Sequence, residues 1–324
     1  MNPLGFHASH EQISPAQLLR DVVHAEQAGF GSAMCSDHYF PWSERQGHSG
    51  HTFSWLGAAL ASTPTPIGSV NATGQRYHTA VAAQAYATLG QMFPGRYWVA
   101  LGSGQNLNEH VTGDKWPDLE TRRRRLEESV EVIRALHRGE KVTHRGLITV
   151  EDAYLFDRPT EPVPLYATCI STASAERAAA WADGMITLNQ PDGAHEETLR
   201  AYREAGGSGP AMLQVHLSWA RTQTEADDIA YDQWRSNVAP EDVAQFLPTA
   251  EHFDAVTEYA PRELVREAVW ISDEAGWHVE RILEALEAGF ETIYLHHVGQ
   301  DQRPWLDFAG QHILPSVKEH HGHS

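Results

Sequence analysis

Short apolar runs alternate along this chain with longer stretches whose apolar positions recur at helical spacing. That alternation predicts a parallel sheet whose strands are joined by crossover helices. Eight runs read as strands: Leu4–Ser9, Ser32–Asp37, Ile67–Asn71, Tyr97–Gly102, Leu165–Ile170, Gly184–Asn189, Met212–Trp219 and Thr292–Val298. Each is short and mostly apolar, as a strand covered on both faces requires. Eight such units predict a (β/α)8 TIM barrel formed as one domain over residues 1–324, a length at which such barrels are common.

The helices are legible from their ends. Ser14-Pro15 is a cap followed by a first-turn proline, and Gly29 closes the helix that follows. A second clear helix covers about Leu119–His137. Its run Arg122-Arg123-Arg124-Arg125 spreads over the whole circumference and is followed by Glu127, Glu128 and Glu131, which predicts a solvated, ion-paired face rather than an anion site. Two segments stand outside the repeat. In 139–164, Val142–Gly146 and Ile148–Val150 read as a small hairpin, and 239–274 reads as two or more helices inserted before the last strand. In barrels such extras usually decorate the loops around the active-site mouth.

Charge narrows the partners. Lys and Arg number 24 against 43 Asp and Glu, a formal charge of −19, which argues against nucleic acid and acidic membrane surfaces, though charge alone does not name the small-molecule ligand. The two cysteines, Cys35 and Cys169, fall in separate strand-like segments, so no disulfide framework is expected and a reduced, cytoplasmic setting is. Residues 1–30 lack a basic start followed by an apolar core, and no apolar run approaches the roughly 20 residues that span a bilayer. The 20 histidines are scattered, without His-Glu-x-x-His or Cys-x-x-Cys spacing, so no metal site is predicted; His320-His321-Gly322-His323 reads as a frayed tail.

Catalytic groups in such barrels lie at the C-terminal ends of the strands. There the chain carries Ser9-His10-Glu11-Gln12, then Ser36-Asp37-His38-Tyr39-Phe40-Pro41-Trp42, then Gly102–Glu109. Removing hydride from an alcohol carbon requires a base for the hydroxyl proton and a flat acceptor ring; His38, Glu11 and Glu109 are candidate bases, and the Trp42 indole a candidate wall. A lone strand-end histidine is more often tied to backbone, but recurrence with Glu11, Glu109 and Trp42 favours chemistry. Gly102-Ser103-Gly104 lacks the Walker spacing and the full dinucleotide fingerprint, and a tight strand exit explains it equally well. The loop Thr168–Ser174 precedes a helix, where free amides and hydroxyls would bind phosphate or only cap the helix.

These residues carry a resemblance. Ser36-Asp37-His38 with Pro41-Trp42, and Leu107-Asn108-Glu109, resemble the coenzyme F420-dependent glucose-6-phosphate dehydrogenase group of the bacterial luciferase-like superfamily. The similarity continues through Phe53–Gly57, Arg76-Tyr77, Phe93-Pro94, Arg124 to Leu136, Ala182–Gly184 and Gly299–Arg303. It implies a homodimeric oxidoreductase passing hydride between a small alcohol or sugar and a flavin-type cofactor. By position it gives His38, Trp42, Glu109 and Glu11 catalytic roles, and it places the cofactor against Asp37, Ser69, Val70, Gly102, Ser103, Gly104, Asn108, Ser171 and Thr172. It also implies a cis peptide at Ser69-Val70, which would press a bulge against the cofactor ring.

The departures narrow the substrate. Where the group holds substrate phosphate with threonine and lysine after the sixth strand, this chain has Leu188-Asn189-Gln190-Pro191, and Arg266 is the nearby counterpart for substrate binding. An unphosphorylated or differently placed substrate fits that change. Ser43–Gly47 and Gln75–His78 resemble an FMN-type luciferase-like branch more closely still, and Thr168–Ser174 lacks a glycine pair to close on a phosphate. Coenzyme F420 and FMN therefore both stand as cofactors. An FMN-dependent monooxygenase and a non-catalytic flavin-binding protein are the other readings; the second should have lost the strand-end polar groups kept here. Barrel folds also host unrelated chemistries.

Overall fold

The computed structural model describes residues 2–321. Its strands, in chain order, are β1 (Leu4–Ala8), β2 (Ser32–Ser36), β3 (Ile67–Ala72), β4 (Tyr97–Gly102), β5 (Val142–Arg145), β6 (Thr149–Ala153), β7 (Leu165–Thr168), β8 (Met185–Leu188), β9 (Ala211–Ser218), β10 (Trp270–Ile271) and β11 (Thr292–His297). Eight of them pair in parallel in the order β9-β11-β1-β2-β3-β4-β7-β8, and β8 pairs with β9 to close the ring. The closed ring with its surrounding helices is a (β/α)8 barrel, and its strands are those the apolar runs predict. β10 lies beside Leu217 and Ser218, alongside the end of β9 beyond its pairing with β8.

Local chemistry sets the helix ends. Pro15 opens the helix Pro15–Ala28, and Gly29 closes it in the left-handed region at φ 107°, where the Phe30 amide bonds back to the Ala25 carbonyl. Ser14 holds the cap position in extended conformation, but its side chain makes no capping bond, so the proline's fixed φ is the operative start signal.

Strand alternation divides the side chains into two sets. Leu4, Phe6, Val99, Leu101, Leu213 and Leu295 belong to the principal core, between barrel and helices. Gly5, Trp98, Tyr166, Gly184 and Tyr294 meet inside the ring: a β-carbon on Gly5 would stand 2.3 Å from the Tyr294 ring, and one on Gly68 1.9 Å from the Trp98 indole. The aromatics fill space that the glycines leave, and with Met34, Ile186 and Met212 they plug the N-terminal half of the barrel. Only the C-terminal half is left open for a ligand.

Several expectations are corrected here. No cis peptide occurs among the described residues, so the Ser69-Val70 bond is trans. The register shows why: Ser69 and Val70 pair continuously with Cys35 and Ser36 on one side and with Val99 and Ala100 on the other, leaving no bulge. The β5–β6 hairpin forms, but it packs on the outer helices. His144 Nε2 lies 2.9 Å from Glu128, the Leu147 amide donates to the same carboxylate, and His78 meets the Thr149 carbonyl. No residue of 139–164 lines the barrel mouth. The segment 239–274 does reach it, with helices Glu241–Ala244, Ala250–Val256 and Arg262–Ala268. Cys35 and Cys169 are buried and free. No helix among the described residues is long and apolar enough to cross a membrane. Of the residues read as a frayed tail, His320 and His321 belong to the last helix, Leu314–His321, and Gly322 and His323 lie outside the described residues.

Candidate active site

The inward positions at the C-terminal ends of the strands enclose a cavity of about 340 Å³. The two-residue strand period delivers His7 from β1, Ser36 from β2, Val70 and Ala72 from β3, Gly102 from β4, Thr168 from β7, Gln214 and His216 from β9 and His296 from β11. The loops beyond them add Glu11, Asp37, His38, Trp42, Ser103, Gly104, Asn108, Glu109 and Ser171.

His38 and Glu11 form the central pair, with His38 Nε2 3.3 Å from Glu11 Oε1. The Glu11 carboxylate is buried and also accepts from the Ser9 hydroxyl at 2.9 Å and the Ser36 hydroxyl at 2.7 Å. Burial alone would raise its pKa; the facing His38 and His7 rings and the Ser36 donor outweigh that and hold it at about 2. Asn108 sets the other face of the imidazole. Its Oδ1 accepts from the Tyr39 and Phe40 amides, which turns its Nδ2 donor toward His38 Nδ1 at 3.3 Å. That assigns the Nδ1 lone pair to Asn108 and the Nε2 proton to Glu11.

Trp42 stands 5.1 Å from His38, ring centre to ring centre, and meets Phe253 edge-on at 5.2 Å. Its amide donates to Gln46 Oε1, and Gln46 Nε2 donates to the Gln233 carbonyl. Asp254 of the inserted helix Ala250–Val256 accepts from the Ser43 hydroxyl at 2.6 Å and pairs with Arg45 at 2.9 Å. The segment Ser43–Gln46 thus ties the Trp42 loop to the insertion.

A second buried cluster joins Asp37, Arg76 and Glu109. Arg76 Nη2 lies 2.8 Å from Asp37 Oδ2, its Nε 3.5 Å from Glu109 Oε1, and its amide donates to Glu109 Oε2 at 2.7 Å. Asn71 and Tyr77 also bond Asp37. Burial raises the Glu109 pKa by more than the guanidiniums of Arg76, which Asp37 shares, and of Arg125 lower it, and Oε1 has no hydrogen bond. Sequence reasoning took Arg76 only as part of the resemblance; its adjacency to Tyr77 carries no signal of a bridge between two strand ends.

The cofactor wall is partly as expected. Val70, Gly102, Ser103, Gly104, Asn108 and Ser171 line the cavity. Gly104 is left-handed at φ 83°, and a β-carbon on Gly102 would stand 2.6 Å from Thr168 Oγ1, so both positions exclude side chains. Ser69 and Thr172 do not line it. Ser69 falls on the outward set of β3 and bonds Tyr97 Oη at 2.9 Å; Thr172 opens a helix that Ser171 and Ser174 cap reciprocally.

Two readings of arginine are overturned. Arg266 lies outside the cavity, half exposed, with both arms on Asp227 at 2.6 and 3.0 Å, so it has no part in this site. In the run Arg122–Arg125, Arg122 and Arg125 are buried, the first over the Trp116 ring at 4.4 Å and the second on Gln75 Oε1 at 2.9 Å. Consecutive residues 100° apart cannot all face solvent on a helix packed along one side. Arg123 lines the cavity and has no ion-pair partner among the described residues; Arg177, which also lines it, is held by Glu120 and Glu127.

Comparison with known proteins places this geometry. Residues 3–292 match the luciferase-like monooxygenase family. A coenzyme F420-dependent glucose-6-phosphate dehydrogenase of Beutenbergia cavernae is 36% identical over 97% of both chains, and one of Nakamurella multipartita is 34% identical over 97% of this chain and 96% of its own. Among solved structures, an F420-dependent secondary alcohol dehydrogenase in complex with an F420-acetone adduct is 26% identical, with a TM-score of 0.89 over 98% of this chain and 99% of its own. With its barrel, its strand-end histidine and carboxylates, and a match over most of its length, the chain belongs to the luciferase-like monooxygenase family.

Proposed function

We propose that this chain is a coenzyme F420-dependent dehydrogenase that takes hydride from the carbon of a small alcohol or sugar. The observation that carries the reading is the Glu11–His38 pair at 3.3 Å, facing the same cavity as Trp42. The relatives named for F420-dependent dehydrogenation supply the cofactor class.

The cavity suits a planar ring with an anionic tail. Val70, Ala72 and the side-chain-free Gly102 and Gly104 would hold the ring, and Ser103, Ser171 and Arg123 would hold the tail. When bound, the deazaflavin supplies a hydride acceptor. The protein's own task is the proton. A substrate hydroxyl that replaced Asn108 at His38 Nδ1 would deliver its proton there, leaving an imidazolium whose Nε2–H already faces ionised Glu11. Trp42 walls the reacting carbon from solvent, and Glu109, less readily ionised, lines the same cavity beside Asn108. The catalytic assignments of His38, Trp42, Glu109 and Glu11 and the cofactor contacts belong to this proposal, as does action as a homodimer in the cytoplasm.

The test is a fluorescence titration of the purified chain with F420 and with FMN, followed by turnover on alcohols. Binding of F420 with alcohol-dependent reduction supports the reading. Preference for FMN with oxygen consumption would replace it by a flavin monooxygenase, a reading favoured by one feature: the glycine-free loop Thr168–Ser174, where Ile170 lines the cavity.

A further inference from the structure

Three adjacent strands, β9, β11 and β1, turn imidazoles into the cavity: His216, His296 and His7. The His7 and His296 rings stack at 4.3 Å, and His216 and His296 each face the Trp234 indole at 4.5 and 4.8 Å. His7 is 2% exposed and neither of its ring nitrogens has a partner; His296 is 1% exposed, with Nε2 on Gln12 at 2.7 Å and Nδ1 unpartnered. Gln214 adds an amide, 3.2 Å from His216 Nε2. Buried polar groups are normally paired, so a wall of three imidazoles and an amide is built to meet a polar occupant.

The cations lie elsewhere. Arg123 and Arg177, which line the cavity, stand on helices that follow β4 and β7; around the eight-strand ring β4 is four places from β11 and three from β1 and β9, and β7 is four places from β1, three from β11 and two from β9. His7 and His296 therefore face the arginines from across the barrel, and the charged or titratable groups acting on the wall are Glu11, His38, His10 and His297. Burial keeps the rings neutral: His7 is lowered to about 4 and His216 to about 3, and His296 is also lowered. A neutral imidazole offers one donor and one acceptor, as a hydroxyl does. A phosphate ester offers acceptors and about two negative charges, which a cation-free wall beside ionised Glu11 would repel.

We infer that His7, His216 and His296, with Gln214 and the Trp234 face, form the substrate subsite, and that it takes an uncharged polyol, such as an unphosphorylated sugar, in preference to a sugar phosphate. This rests on the dehydrogenase reading and deepens it. Hydroxyls pair with the imidazole and amide groups of this wall, and the C–H face of the sugar lies against indole.

The experiment is a calorimetric titration of the full chain, first with F420 and FMN. Failure of both to bind would remove the dehydrogenase reading itself. With the bound cofactor in place, glucose, sorbitol, myo-inositol and glucose 6-phosphate are then titrated. At least one polyol should bind roughly tenfold or more tightly than glucose 6-phosphate, and His7→Phe and His216→Phe should weaken it at least about tenfold while cofactor affinity stays within about twofold. His7→Gln, which keeps a donor and an acceptor, should stay within about threefold of the parent and separates recognition from folding if the phenylalanine variants fail to fold. Tighter glucose 6-phosphate binding, no polyol binding to a cofactor-loaded chain, or polyol binding indifferent to all these substitutions would each overturn the subsite while leaving the dehydrogenase reading standing.

Discussion

Glu11 and Glu109 line one cavity, both are buried, and their pKa values move in opposite directions. Glu11 accepts from two serine hydroxyls and faces His38, and it is held at about 2. Glu109 receives one backbone amide and a guanidinium that also serves Asp37, and its pKa is raised. Burial acts on both alike; the count of donors, and whether a cation is shared, decides the outcome. The same cavity thus holds a permanently ionised carboxylate beside the proposed base and a second carboxylate kept closer to neutrality.

The largest effect that would test this division is on turnover. His38→Ala should lower it by about 1,000-fold and Glu11→Gln by about 100-fold with the fold intact by circular dichroism. Equal, small losses in both would erase the distinction.

Next comes acid stability. His7, His10 and His278 are lowered from 6.5 to about 4, so between those values the unfolded chain binds more protons than the folded one. Stability should therefore fall as pH drops from 6.5 to 4, by about 1.4 kcal/mol per pH unit for each such group. Glu11 contributes nothing to that slope above about pH 4.5: its stabilisation is present above its unfolded pKa and is lost as pH falls from there through about 2. A flat melting temperature from pH 6.5 to 5 would show that the imidazoles are solvated.

Arg76→Leu leaves buried Asp37 without its ion-pair partner and Glu109 with Arg125 as its remaining nearby cation, and should cost about 3–5 kcal/mol in urea unfolding. A loss below about 1 kcal/mol would mean that the cluster opens to water. Glu109→Gln sharpens the comparison from the other side. A raised folded pKa means that the group's favourable contribution exists below its unfolded pKa and disappears as pH rises through the folded one. The variant should melt higher than the parent at pH 8 and equally at pH 4; a lower melt at pH 8 would show the ionised form to be stabilising. Smallest of all, Arg266→Ala should leave substrate and cofactor binding unchanged and alter stability by less than about 1 kcal/mol, since the arginine is half exposed and Asp227 keeps Arg262 as a partner.

Much of this was legible in local pattern. His38, Trp42, Glu11 and Glu109 follow apolar strands, and strand ends are where a barrel presents its chemistry, so their convergence in one cavity needed no long-range information. Ser69 was misread because the resemblance gave a position without its face; the alternation that turns Val70 inward turns Ser69 out. Arg266 was misread because nothing local reveals that Asp227, 39 residues away, takes both its arms. The buried halves of the Arg122–Arg125 run were hidden for a similar reason: a helix shows its polar residues in sequence, but not which side packs on the barrel.

By itself the sequence determined the alternation of strands and helices, the closed parallel barrel, and the polar groups standing at the strand ends, because these depend on periodicities of two and 3.6 residues and on caps within a few positions. Ring closure decided the rest. His7, His216 and His296 are separated by most of the chain and become neighbours only because β1 and β9 both pair with β11. Only in that packed interior do the imidazoles lose water, fall in pKa and become a neutral wall, an outcome set by tertiary burial rather than by residue type.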